Sequence, residues 1–171
     1  MKRVYGFNEG GKELIDILGG KGGNLAEMKR IGLPIPEGII VSTTACKEFF
    51  RDGKKITPEL EKEILEKLEY LQEVTGKRFE GDNPLLVSVR SGAPISMPGM
   101  MDTILNLGLN DVTAEKMSKI FNDEIFVHEL YARFIQMFSE IVMGIEKELF
   151  FSLKEKLFAE RKDEPKIDTY K

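Results

Sequence analysis

The sequence predicts a mixed fold, α/β (α+β mixed), with an α/β part over residues 1–110 and a helical part over residues 111–171. Three observations carry that expectation. Compact apolar runs bounded by glycine or proline, clearest at GIIVS (38–42) and PLLVSVR (84–90), mark short strands in the first part. Between them, apolar residues recur at three- and four-residue spacing, as one face of a helix requires. After Asp111 glycine and proline become scarce and the helical period takes over.

Taken in order, residues 3–7 (RVYGF) read as a short strand and residues 12–18 as one or two helical turns. Residues 24–31 read as a helix with Leu25 and Met28 on one face, stopped by Gly32 and the proline-punctuated LPIPEG. Residues 38–42 form a buried strand. Thr43 or Thr44 caps the next helix, which reaches about Arg51. Thr57-Pro58-Glu59 is a helix start: a cap, a proline in the first turn, then an acid near the positive end of the dipole. That helix carries Leu60, Ile64, Leu65, Leu68 and Leu71 to about Val74, and Gly76 ends it. Residues 84–90 read as a strand covered on both faces. The loop SGAPISMPGMMD and a short strand TILNLG follow. Helices are expected over about 113–121, over 123–145 with a bend near Gly144, and from 147 towards 162, with a frayed tail.

Bulk composition narrows the classes. The chain has 171 residues, 42% hydrophobic and 32% charged, a balance that supports a core without covalent staples. A net charge of −4 gives no field of the size that nucleic acid needs. The one cysteine, Cys46, excludes an intrachain disulfide and fits a reducing, cytoplasmic setting. With Phe49 and Phe50 at helical spacing, it is expected to be a buried, inert thiol. No run approaches the ~20 apolar residues of a membrane span, and the first residues lack the apolar centre of a secretory signal. Neither nucleic acid nor membrane is an expected partner.

Three stretches carry chemistry. GGKGGN (19–24) is not a Walker A loop, because a glycine at position 15 and a hydroxyl residue after Lys21 are both missing. Its glycines, its lysine and a helix starting next suit a polyphosphate. A plain loop between two short helices with a solvated lysine suits it equally well. In VRSG, Arg90 stands at the carboxyl end of a strand, where a guanidinium forks onto phosphate oxygens or pairs with an internal carboxylate. In SMPGMMD, Pro94 and Pro98 stiffen the loop and Gly99 permits close approach. Its methionines cover a flat ligand or plug a core gap, and Asp102 can tie the loop to its own backbone.

The long helix shows a polar stripe of Glu129, Arg133, Gln136, Glu140 and Lys147, most simply a solvated face, with Glu129 and Arg133 spaced for an ion pair. Tyr131, Phe134 and Phe138 form its core stripe. His128, the one histidine, has no second histidine and no cysteine near it in sequence, so a structural role is expected and no metal site.

Together, GGKGGNLAEMKRIGLPIPEG, LLVSVRSGAPISMPGMMDTILNLGLND and YARFIQMFSEIVMGI closely resemble, in this order, the N-terminus of the pyruvate, phosphate dikinase family. The resemblance covers about residues 3–150. The related water-using dikinases share the glycine-lysine stretch and an arginine-serine pair, then diverge where this chain has SMPGMMDT. The resemblance implies an ATP-grasp-like N-terminal lobe followed by an incomplete helical subdomain. It implies an enzyme that converts ATP, phosphate and pyruvate into AMP, pyrophosphate and phosphoenolpyruvate through a histidine on a swivelling domain. Lys21 matches the family's lysine near the ATP phosphates, and Arg90 its phosphate-binding arginine. Gly99, Met101 and Asp102 match the loop over the phosphates, and Arg133 an arginine near the nucleotide. Lys21 and Arg90 would then serve the phosphoryl chemistry by cancelling charge on oxygens.

The same resemblance places the carboxylates that hold Mg2+, the phosphohistidine and the pyruvate site outside these 171 residues, and implies a full-length homodimer. His128 does not lie in the phosphohistidine motif. The chain is therefore expected to be an N-terminal portion that is inactive alone. The competing readings are a stand-alone module that binds an anion or a partner without catalysis, and a portion of a pyruvate, water dikinase.

Overall fold

The computed structural model describes residues 2–91 and 103–160, which fall into two compact units. One comprises residues 2–76 with Ser91, the other residues 77–90 with 103–160. The fold is mixed α+β. All four strands precede residue 110, and the three elements that follow are helices.

In the first unit, β1 (Val4–Gly6) pairs antiparallel with β2 (Ile39–Val41), Val4 opposite Val41 and Gly6 opposite Ile39. Three helices accompany them: α1 (Ile15–Arg30), α2 (Thr43–Arg51) and α3 (Pro58–Thr75). Val4, Ala45 and Leu60 form one buried cluster with Ile39 and Ile64 packed against it. Leu18, Ala26 and Ile40 form a second, joined by Tyr5, Phe7, Leu14 and Ile17. α3 starts as its sequence requires, with the Thr57 hydroxyl accepting from the Leu60 N–H at 3.3 Å, and ends at Gly76 in the left-handed conformation.

β2 was expected to be buried, yet only Ile40 is, and Val41 is 48% exposed; two expectations at α2 fail as well. Neither Thr43 nor Thr44 caps α2. Ser42 does, accepting from the Ala45 N–H at 3.2 Å while fully buried. Cys46 is exposed, not buried. Ala45 takes the inward position at 1% exposure, and one residue further the side chain has turned through about 100°.

An ion network that the sequence did not announce binds three elements. The Arg3 guanidinium donates from Nε to Glu48 on α2 at 2.6 Å and from Nη1 to Glu63 on α3 at 2.9 Å. The Arg3 N–H also donates to Glu63, at 2.8 Å. Burial would raise the Glu63 carboxyl, but these bonds hold it below its ordinary range.

In the second unit, β3 (Val87–Arg90) pairs antiparallel with β4 (Thr103–Leu107), with a bulge between Val87 and Val89. The chain leaves β4 through Gly108 at φ 116°, where a Cβ would stand 2.7 Å from the Leu85 carbonyl oxygen, so only glycine fits. Asn110 and Thr113 then form a reciprocal cap on α4 (Asp111–Phe121). Asp123 caps α5 (Glu124–Ile141), accepting from the Phe126 N–H at 2.9 Å. Leu109, Ala114, Met117 and Val127 make the core, with Leu86, Leu130, Tyr131 and Phe134 against it. α5 stops short of residue 145 because Gly144 adopts φ 67°, and α6 (Lys147–Glu160) begins afterwards.

The main departure is β3. It was expected to be covered on both faces, yet Ser88, Val89 and Arg90 are exposed, Val89 to 47%. The pair is antiparallel, and Ser88 and Val89, which point to opposite faces, are both exposed, so the end of β3 is covered on neither face. Its apolar anchor lies just ahead of the strand, at Leu85, which is 5% exposed.

Candidate functional site

The glycine-lysine stretch turns out not to be a loop. It lies inside α1, which is broken at one residue: Gly19 has φ 73° and ψ 166°, and helical conformation resumes at Gly20. That region of backbone space is open essentially to glycine alone. The second helical stretch therefore starts four residues earlier than Asn24, where the sequence had placed it. Two of the other glycines have a packing reason. A Cβ on Gly22 would stand 2.9 Å from Ile40, and one on Gly23 3.1 Å from Ile15. Gly20 faces open space. So the density of glycine reflects one sharp break and one close helix–strand contact.

Lys21 sits on the first turn after the break. It is half-buried, and its ammonium donates to the Ser91 carbonyl at 3.3 Å. A helix that restarts here leaves its first N–H groups outside the ladder and presents the positive end of its dipole, with the lysine charge beside it. An anion with several oxygens suits that arrangement chemically.

Arg90 ends β3 and is exposed. It makes no ion pair with a carboxylate among the described residues. Arg133 is exposed on α5 and does not form the expected pair with Glu129 among the described residues. An exposed pair of that kind is worth only ~0.3–0.5 kcal/mol, little enough for side-chain entropy to cancel. Gly99, Met101 and Asp102 lie outside the described residues. His128 is half-buried with its Nε2 3.5 Å from Glu124, one turn away on the same helix. Among the described residues no three His, Cys, Asp or Glu side chains gather as a metal would need.

Sequence reasoning missed two contacts near Lys21. One is the Ser91 carbonyl, 70 residues away. The other is the Thr43 hydroxyl, which donates to the Asp16 carbonyl at 2.8 Å across 27 residues. No local pattern announces either, because both depend on where α1 is broken.

Comparison with known proteins gives a consistent set of likenesses. The family model described as "Pyruvate phosphate dikinase, AMP/ATP-binding domain" matches residues 15–56 and 52–139. The chain is 53% identical over 150 residues to a pyruvate, phosphate dikinase of Clostridium symbiosum, covering 87% of this chain and 17% of that protein. It is 46% identical over 151 residues to the enzyme of that name from Entamoeba histolytica, covering 88% and 17%. A chloroplastic pyruvate, phosphate dikinase of Flaveria pringlei is 50% identical over 166 residues, covering 94% and 17%. The chain thus spans about a sixth of the length of these relatives (17%).

Proposed function

The chain belongs to the family of pyruvate phosphate dikinase AMP/ATP-binding domains, and from that premise we propose that it is the N-terminal ATP-binding portion of a pyruvate, phosphate dikinase. The observation that carries this reading is the family match over residues 15–56 and 52–139. That span contains Lys21, Arg90, Gly99, Met101, Asp102 and Arg133. The full enzyme would convert ATP, phosphate and pyruvate into AMP, pyrophosphate and phosphoenolpyruvate, acting as a phosphotransferase and a homodimer. Phosphate and pyruvate would be handled by parts of the protein outside these residues.

In this reading Lys21 and Arg90 bind phosphate oxygens of ATP and offset the charge that accumulates as the phosphoryl group departs. Lys21 supplies a mobile point charge and Arg90 a planar fork. Gly99, Met101 and Asp102 belong to the loop over the phosphates, and Arg133 stands near the nucleotide. Magnesium would accompany the nucleotide. The described residues do not make up a magnesium site by themselves.

Titrating the chain with MgATP while following amide signals by NMR tests the proposal. Saturable shifts are expected in residues 19–24 and to be lost in Lys21→Ala. Signals that stay in place at millimolar MgATP, both in this chain and in a longer chain that completes the nucleotide-binding domain, overturn the phosphate role given to residues 19–24.

A further inference from the structure

We propose that Thr43 is a positioning residue that holds α1 broken at Gly19, so that the restarted helix carries Lys21 on its first turn. The inference rests on the nucleotide-binding role given to Lys21 above. It starts from a backbone count. A residue at φ 73° and ψ 166° cannot continue a helical ladder, so the Asp16 carbonyl loses the Gly20 N–H that a straight helix would supply. A carbonyl left in that state needs another donor. The Thr43 hydroxyl supplies it at 2.8 Å.

Thr43 is free to do so because Ser42, not Thr43, caps α2. It is also held firmly, since Ser42 and Ala45 on either side of it are buried. The methyl arm of Thr43 addresses the same corner. A Cβ at Gly19 would lie 3.9 Å from Thr43 Cγ2, in ordinary contact. The Thr43 side chain thus bonds the carbonyl released by the break and lies close to the residue that makes it. The consequence is chemical. With the break held open, the N–H groups of Gly20 and Lys21 lie at a helix start instead of mid-ladder, beside the Lys21 ammonium.

Two isosteric halves of the side chain separate the roles. Thr43→Val keeps the methyl packing and removes the donor, while Thr43→Ser keeps the donor. Two readouts are needed: backbone chemical shifts of residues 19–21 without ligand, and the Kd for MgATP. In Thr43→Val the shifts of residues 19–21 should move towards helical values and Kd should rise about fivefold, the weight of one ordinary hydrogen bond. Thr43→Ser should retain the wild-type shifts and affinity. Unchanged shifts at residues 19–21 in Thr43→Val overturn the inference, whatever happens to affinity. Equal affinity losses in both variants overturn it too, by pointing to packing alone. Lys21→Ala is the control for the underlying reading and should weaken MgATP binding with the break unchanged. A wild-type chain that binds no MgATP, alone and within a longer chain that completes the nucleotide-binding domain, overturns the role given to Lys21 and the purpose given to the break, while the shifts still decide whether Thr43 holds it.

Discussion

The two strand pairs differ in cover: β1–β2 holds buried positions at Val4 and Ile40 although Val41 is 48% exposed, whereas β3 and β4 hold none. β1–β2 lies against α1 and α3, and its Val4 is 1% exposed. β3–β4 has α5 against β4, and the β3 residue Val89 is 47% exposed. Yet VSVR and the residues before it look at least as apolar as VYG. Apolar character marks a segment as strand-forming. How deeply the strand is buried depends on which helices return to it, and that is decided by residues far away in the chain.

That contrast can be broken first at Gly108. Gly108→Ala forces a side chain into φ 116° and against the Leu85 carbonyl, so it should destabilise the second unit by more than about 3 kcal/mol. Denaturant titration with NMR probes on α4 and α3 checks this. The α4 signals should be lost at lower denaturant and the α3 signals should not follow. A common shift of both would mean that the units unfold as one.

Matched truncations sharpen the comparison. Val4→Ala removes a fully buried side chain and should cost about 2 kcal/mol. Val89→Ala should cost under about 1 kcal/mol. Equal losses in chemical denaturation would remove the distinction between a covered and an uncovered pair.

A further effect is electrostatic and belongs to the first unit. Burial alone would raise the Glu9 carboxyl. Hydrogen bonds from Lys67, the Gly6 N–H and Lys2 outweigh it and hold the group at about 2 instead of 4.5. A depressed carboxyl contributes its full stabilisation above about pH 4.5. That contribution, of order 1–2 kcal/mol after allowance for partial exposure, fades as pH falls towards 2. Thermal melts between pH 6 and 2 should fall more steeply for wild type than for Glu9→Gln. Parallel curves would show that Glu9 carries no such share.

Much of the fold was legible because its signals are local. Thr57-Pro58 starts α3 and Gly76 ends it, with no help needed from elsewhere in the chain. What was not legible depends on distant partners. Cys46 and Ala45 differ by one position on α2, and only the location of Val4 and Leu60 decides which of them faces inward. GGKGGN looked like a loop because four glycines in five residues disfavour helix, yet residues 20–24 are helical, with Gly22 and Gly23 where a Cβ would press on Ile40 and Ile15. For the candidate site, Lys21, Arg90 and Arg133 were found from sequence likeness. The broken helix that carries Lys21, and the threonine that meets the break, came only from the fold.

The Arg3 contacts bear on the order of folding. The residue lies near the start of the chain, but its two carboxylate partners lie 45 and 60 residues further on. During synthesis β1 emerges before both of the helices that hold Arg3. At translation speeds of about 5–20 residues per second, roughly 3–12 s separate Arg3 from the appearance of Glu63. Through that interval the first strand is a bystander, and the half-built unit must keep Val4 from pairing with other chains. Lys2 and Arg3 set charge directly beside the buried Val4, a gatekeeper for the strand while its partners are still to come.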